Sequence, residues 1–126
     1  FSKVKRDERF FYNGRFSTAE LMKVADVIIT DYSACAFEAA ILMKPLYFFV
    51  PDYQQYIAER GANINLKEEM HLSTFENADE LCKAIRTGLY DQNALYQFKT
   101  KYVENTGTNN AQILAKFISI LINENG

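Results

Sequence analysis

From Ala25 to Val50 the chain reads ADVIITDYSACAFEAAILMKPLYFFV: an apolar run, a polar break, a nearly uncharged stretch, a proline and a second apolar run. DVIIT (26–30) is a continuous β-branched run after its Asp and LYFFV (46–50) a second apolar run, the pattern of strands covered on both faces, and Pro51 halts the second. The spacing between them predicts a helix over about 33–43, ended by Pro45. Upstream, ERFFYNG (8–14) reads as a short strand closed by an Asn-Gly turn. The segment S-T-A-E places Glu20 three residues after Ser17, a capping box, and Leu21, Val24 and Ala25 form the apolar stripe of the helix it opens.

Downstream, Tyr53 to Arg60 predicts a short helix closed by Gly61, and NINL (63–66) a weaker strand. Asn77 with Glu80 caps a helix over DELCKAIRTGL, and a further helix covers 91–102. A last helix follows Thr108, with Ile113, Leu114, Phe117, Ile118, Leu121 and Ile122 as a wide apolar stripe. Strands alternating with helices imply right-handed crossovers and a parallel sheet. The expected fold class is therefore α/β, a Rossmann-like parallel sheet of about four strands flanked by helices.

Composition narrows the choices. The 126 residues suit one domain, and 48% hydrophobic against 24% charged residues, with 10 Phe and 8 Tyr, suit a large aromatic core rather than disorder. A net charge of −2 gives no broad positive field, so no nucleic-acid partner is expected; Lys3, Lys5, Arg6 and Arg9 read as a solvated arm. Cys35 and Cys82 form no disulfide framework or paired metal-ligand spacing, and reduced thiols suit a cytosolic setting. No apolar run reaches the roughly 20 residues that span a bilayer. The chain opens on FSKVKRDE without Met, so a piece of a longer polypeptide is expected.

In open parallel sheets ligands sit beyond the carboxyl ends of the strands, where Asp31, Tyr32 and Ser33 fall. The first amides of the following helix, near Ser33, Ala34 and Cys35, lack intrahelical acceptors and suit a phosphate. Ser33 fits two roles: donor to a phosphate oxygen, or cap of its own helix. Asp31, like-charged with phosphate, fits a loop-fixing acceptor of backbone N–H bonds. Glu38 is the only charged residue between Ala34 and Met43. It fits either an exposed helix flank or a carboxylate that meets a sugar hydroxyl beside a bound diphosphate.

These residues carry a resemblance. Glu38-Ala39-Ala40, followed by Pro45 opening an apolar strand, resembles the nucleotide-ribose segment of GT-B glycosyltransferases. More narrowly, ADVIITDYSACAFEAAILMKPLYFFVPDYQQYIAERG is similar to the donor-domain signature of the CDP-glycerol glycerophosphotransferase family of teichoic acid polymerases and primases. That signature reads roughly aDvlITDYSS, then fD or fE, then kPiifyapD, then Y and rG. The matching positions are Asp26, Thr30, Asp31, Tyr32, Ser33, Phe37, Glu38, Lys44, Pro45, Pro51, Asp52, Tyr56 and Gly61. The likeness continues more weakly through Phe98 and Thr106-Gly107-Thr108.

The resemblance implies a C-terminal half-domain of a GT-B fold, binding CDP-glycerol or a related donor through Asp31, Tyr32, Ser33, Ala34, Glu38, Gly107 and Thr108. It implies a polyol-phosphate polymer as acceptor and neither cofactor nor metal. It also implies a bacterial cell-wall enzyme, cytoplasmic and held peripherally at the inner face of the membrane through a part outside this chain. The family's second serine is Ala34 here, and its tyrosine-rich stretch after rG is replaced by ANINLKEEMHLSTF. Its catalytic histidines lie upstream, so no catalytic residue is expected in this chain, His71 matching no family motif.

Two alternatives share parts of the pattern. UDP-N-acetylglucosamine 2-epimerases carry D-S-G-G, E-E-A and G-K-P, but their glycines are replaced here by Ser33-Ala34-Cys35. A non-catalytic α/β interaction domain is the other. A phosphoacceptor receiver domain fits poorly, because Lys44 follows Asp31 after a single helix.

Overall fold

A computed structural model describes residues 14–61 and 64–104 of the chain. Three strands form a parallel sheet among them: β1 (Ile28–Thr30), β2 (Leu46–Phe49) and β3 (Thr74–Phe75), in the order β1-β2-β3. Ile28 pairs with Leu46, and Phe48 with Thr74. Helices α1 (Thr18–Val24), α2 (Cys35–Ile41), α3 (Tyr53–Arg60), α4 (Leu66–Glu69), α5 (Ala78–Thr87) and α6 (Gln92–Lys99) surround the sheet, and a π-type turn over Thr100–Glu104 extends α6. The α/β class and the parallel sheet expected from the sequence are thus present.

Alternation along β2 divides the core. Leu46 and Phe48, with Val50 beyond the strand, face Ala36, Ala39 and Ala40 of α2 and Leu95 and Phe98 of α6, while Tyr47 faces Leu81 and Ala84 of α5. On α2 the alanines recur at i, i+3 and i+4, so one face of the helix carries almost no side-chain bulk and lies close against the sheet. Ala39 and Ala40 are both 0% exposed.

The expected caps are all present. Ser17 and Glu20 complete their reciprocal box, with the Ser17 amide donating to Glu20 Oε2 at 2.8 Å and the Glu20 amide to Ser17 Oγ at 3.2 Å. Asn77 Oδ1 accepts from the amides of Asp79 and Glu80. Gly61 ends α3 at φ +69°, a backbone region glycine enters without strain.

Two expectations are corrected. The described part of NINL, from Ile64 to Leu66, is not a strand: Asn65 and Leu66 open α4 instead. Asn65 Oδ1 accepts from the Tyr53 hydroxyl at 3.0 Å, and Leu66 is buried, so side-chain anchoring overrides the β-leaning composition. The third strand is Thr74–Phe75, where the Val50 amide also donates to the Phe75 carbonyl at 2.8 Å. Nor is β1 covered on both faces: Ile28 is buried, but Ile29 is 51% exposed because the α5 cluster covers Val27 and stops short of it. The expected strand at 8–14 falls almost wholly, and the helix after Thr108 entirely, outside the described residues.

Tyr90 packs against both sheet-side clusters. Burial is the main cause that pushes its hydroxyl up from 10.0 to about 12, with the nearby Tyr47 and Asp91 adding to the rise, and the hydroxyl oxygen is buried without a hydrogen-bond partner. A phenol whose pKa is raised by folding contributes stability that is intact below its unfolded value and lost as pH climbs through the folded one. The urea midpoint should therefore hold up to about pH 10 and fall between about 10 and 12. Tyr90→Phe should make that fall shallower without abolishing it, since burial also raises Tyr32, Tyr47 and Tyr102, and an unchanged profile would remove Tyr90 as a contributor.

Candidate functional site

An open cleft of about 990 Å³ lies at the carboxyl ends of β1 and β2. One wall is the loop that leaves β1, Asp31-Tyr32-Ser33; the other is the outer face of α3, with Asp52, Tyr56 and Arg60. The exposed side of the sheet enters through Ile29 and Phe49.

The loop is built from short-range bonds. Asp31 Oδ1 accepts from the Ser33 amide at 3.0 Å, an Asx-type turn that bends the chain out of β1. Backbone bonds from Ala36 to Ser33 O (3.2 Å) and from Phe37 to Ala34 O (3.1 Å) then start α2 tightly. Ala34 takes the cap position and supplies no side-chain bond. Ser33 Oγ accepts from the Cys35 amide at 3.5 Å, the outer limit of a hydrogen bond, so its capping contact is loose. Beneath the loop, Thr30 Oγ1 and Cys35 Sγ meet at 2.9 Å.

Across the cleft, Tyr32 and Tyr56 stack with ring centroids 3.7 Å apart and planes 5° from parallel. The Tyr32 hydroxyl donates to Asp52 Oδ1 at 3.3 Å. Burial, followed by the negative charge of Asp52, raises the Tyr32 pKa well above the usual phenol range, so this hydroxyl keeps its proton. The Arg60 guanidinium carbon lies 5.9 Å from the Tyr56 ring centroid, within cation–π range.

The structure brings Asp31, Tyr32 and Ser33 together on the cleft wall, with Ala34 directly behind them at the start of α2. Glu38 stands in the first turn of α2, exposed, and does not line the cleft. Gly107 and Thr108 lie outside the described residues. His71 is exposed in a 3-10 turn, also away from the cleft lining. Among the described residues no group of three or more His, Cys, Asp or Glu side chains could hold a metal ion, and no helix is long and apolar enough to cross a membrane.

Asp52, Tyr56 and Arg60 carry no functional assignment in the sequence reading. Two signals were available: Asp52 and Tyr56 match the donor-domain signature, and Asp52, Tyr56 and Arg60 follow one another at intervals of four, which puts Tyr56 and Arg60 on one helix face.

An open α/β sheet with a cleft beyond its strand ends defines the class, one whose ligands bind in that crevice. Residues 3–119 match the family described as CDP-Glycerol:Poly(glycerophosphate) glycerophosphotransferase, and the chain belongs to it, as the signature resemblance implied. The teichoic acid glycerol-phosphate primase of Bacillus subtilis is 29% identical over 107 residues, 85% of this chain and 28% of that protein. A teichoic acid ribitol-phosphate primase of Bacillus spizizenii is 44% identical over 45 residues, 36% of this chain and 12% of the relative. A teichoic acid poly(ribitol-phosphate) polymerase of the same organism is 35% identical over 86 residues, 65% of this chain and 14% of the relative. The chain thus spans well under a third of the length of these relatives, between 12% and 28%.

Proposed function

We propose that this chain is the donor-nucleotide-binding portion of a CDP-glycerol glycerophosphotransferase-like enzyme, the C-terminal half-domain of a longer GT-B transferase. The observation that carries the reading is the family match over residues 3–119, which takes in the whole cleft at the strand ends. In this reading the amides near Ser33, Ala34 and Cys35, with the Ser33 hydroxyl, receive the diphosphate of CDP-glycerol. Glu38, on the exposed face of the same helix, accepts from the ribose hydroxyls of a donor laid along α2. Asp31 shapes the loop rather than touching phosphate. Gly107 and Thr108 complete the donor site from a following turn.

The reaction is attack of a polyol hydroxyl on the β-phosphorus of the donor. A new P–O ester bond forms there, the bond from that phosphorus to the bridging oxygen breaks, and CMP leaves with the electron pair. N–H donors at the loop stabilise the charge that grows on the departing phosphate. Deprotonation of the acceptor hydroxyl falls to groups outside this chain, as does peripheral attachment to the inner face of the membrane. The polymer extended is of the teichoic-acid type, with CDP-glycerol as donor and a polyol-phosphate chain as acceptor.

Titrating CDP into the 126-residue chain should shift backbone amide resonances at residues 31–38. Glu38→Ala should weaken binding roughly tenfold or more, the scale of a hydrogen bond to a charged group, and leave the unfolding midpoint nearly unchanged. Loss of folding instead would make Glu38 a structural residue. Absence of any shift with CDP would remove the donor-site reading.

A further inference from the structure

Resting on the donor-site reading, we infer that Tyr56 is a positioning residue: from α3 it holds Tyr32, and through Tyr32 it fixes the Asp31–Ser33 loop that would meet the donor. Two independent contacts make this grip. The ring of Tyr32 lies flat on that of Tyr56, 3.7 Å between centroids and 5° between planes. Its hydroxyl points to Asp52, the residue just ahead of α3, at 3.3 Å, a long bond for a hydroxyl donor, so the ring stack is the stronger of the two contacts. One loop side chain is thus held on its face and at its tip by residues four apart.

The stacking geometry is informative. Free aromatic pairs prefer an offset or edge-to-face arrangement to full overlap, and a centroid separation this short leaves little offset. The rings sit where α3 and the loop bring them, with Asp52 fixing the angle of Tyr32. The loop's other restraints are local: the Ser33 amide on Asp31 at 3.0 Å and the first backbone bonds of α2 shape the turn. But α2 starts without a side-chain cap bond and the Ser33 hydroxyl meets the Cys35 amide only at 3.5 Å, so none of them ties the loop to another element. A site that presents amides to a ligand needs them held to about half an ångström. α3 supplies that restraint from across the cleft, so residues well separated in sequence from the loop govern its shape.

The test compares wild type, Tyr56→Ala and Tyr56→Phe in the 126-residue chain by ¹⁵N relaxation without ligand and by CDP titration. Tyr56→Ala should lower order parameters at residues 31–34 from the rigid value of about 0.85 to below about 0.7. Amides of α5 should stay unchanged. Tyr56→Phe, which keeps the ring, should restore rigidity, and the CDP dissociation constant should rise roughly threefold to tenfold in Tyr56→Ala alone. Should Tyr56→Ala fail to fold, Tyr56→Leu keeps the apolar bulk without a ring and takes its place. Unchanged order parameters at the loop, or a loss spread equally over α5, would overturn the inference. If wild type does not bind CDP, the donor reading fails, and the relaxation comparison still decides the role of Tyr56.

Discussion

Phe98→Ala should lower the unfolding free energy by about 3–5 kcal/mol, the range for truncating a buried phenylalanine. The ring is 2% exposed and lies in the core between the sheet, α2 and α6. Its centroid is 5.4 Å from that of Phe37 on α2, 6.1 Å from Phe48 on β2 and 5.0 Å from Tyr102 in the turn after α6. Removing it strips three aromatic partners at once, and alanine leaves a cavity that rigid neighbours on a sheet and two helical segments fill poorly. Against a typical total of about 5–15 kcal/mol, that loss leaves the fold marginal. Urea unfolding measures it, with Tyr96→Ala as the control. Tyr96 is on the same helix but 54% exposed, and its truncation should stay within about 0.5 kcal/mol. A Phe98→Ala loss below about 1 kcal/mol would mean that α6 is not held by this aromatic cluster.

The same cluster explains how much of the fold the pattern of residues disclosed. LYFFV has no polar position and β2 is the central strand, flanked by β1 and β3 and faced by α2 and α6 on one side and α5 on the other. A strand buried on both faces leaves an unbroken apolar run, so it was legible. DVIIT leaves the same run, yet Ile29 is half exposed at the cleft. Hydrophobicity records what a residue tolerates rather than what covers it. Thr74–Phe75 was illegible because two residues carry no period. Asn65 and Leu66 misled because the deciding contact, the Tyr53 hydroxyl on Asn65, spans 12 positions.

The candidate site divides along the same line. Asp31, Tyr32 and Ser33 were readable, since a polar triplet that follows an apolar strand and precedes a helix has few structural uses. The Ser33 amide on Asp31 is a contact across two residues, within reach of local reasoning. On the opposite wall Asp52 and Tyr56 match the family signature, but nothing in the sequence assigns them a role or a place facing the loop. Tyr56 lies 24 positions from Tyr32, and no local rule pairs them; only the return of α3 along the strand ends does.

Ser33→Asp should separate the two roles that Ser33 can play, because they predict different outcomes. Residue 33 stands just ahead of the cap position held by Ala34, where an Asp charge is favoured by the helix N-terminus by a few tenths to about 1 kcal/mol and opposed by the neighbouring Asp31 carboxylate. Stability should therefore stay within about 0.5 kcal/mol of wild type. A diphosphate entering the same loop would meet a second carboxylate beside Asp31, whose side chain already accepts from the residue-33 amide. Two unit charges about 4 Å apart at a protein surface repel by up to about 4 kcal/mol, which screening by salt reduces. CDP affinity should fall between about tenfold and a thousandfold, more steeply at low salt, while Ser33→Ala removes one hydroxyl and costs roughly tenfold or less. Calorimetric titration of both variants at two ionic strengths checks the ordering. If Ser33→Asp binds CDP as wild type does, Ser33 serves only its own helix, and the diphosphate sits elsewhere in the cleft.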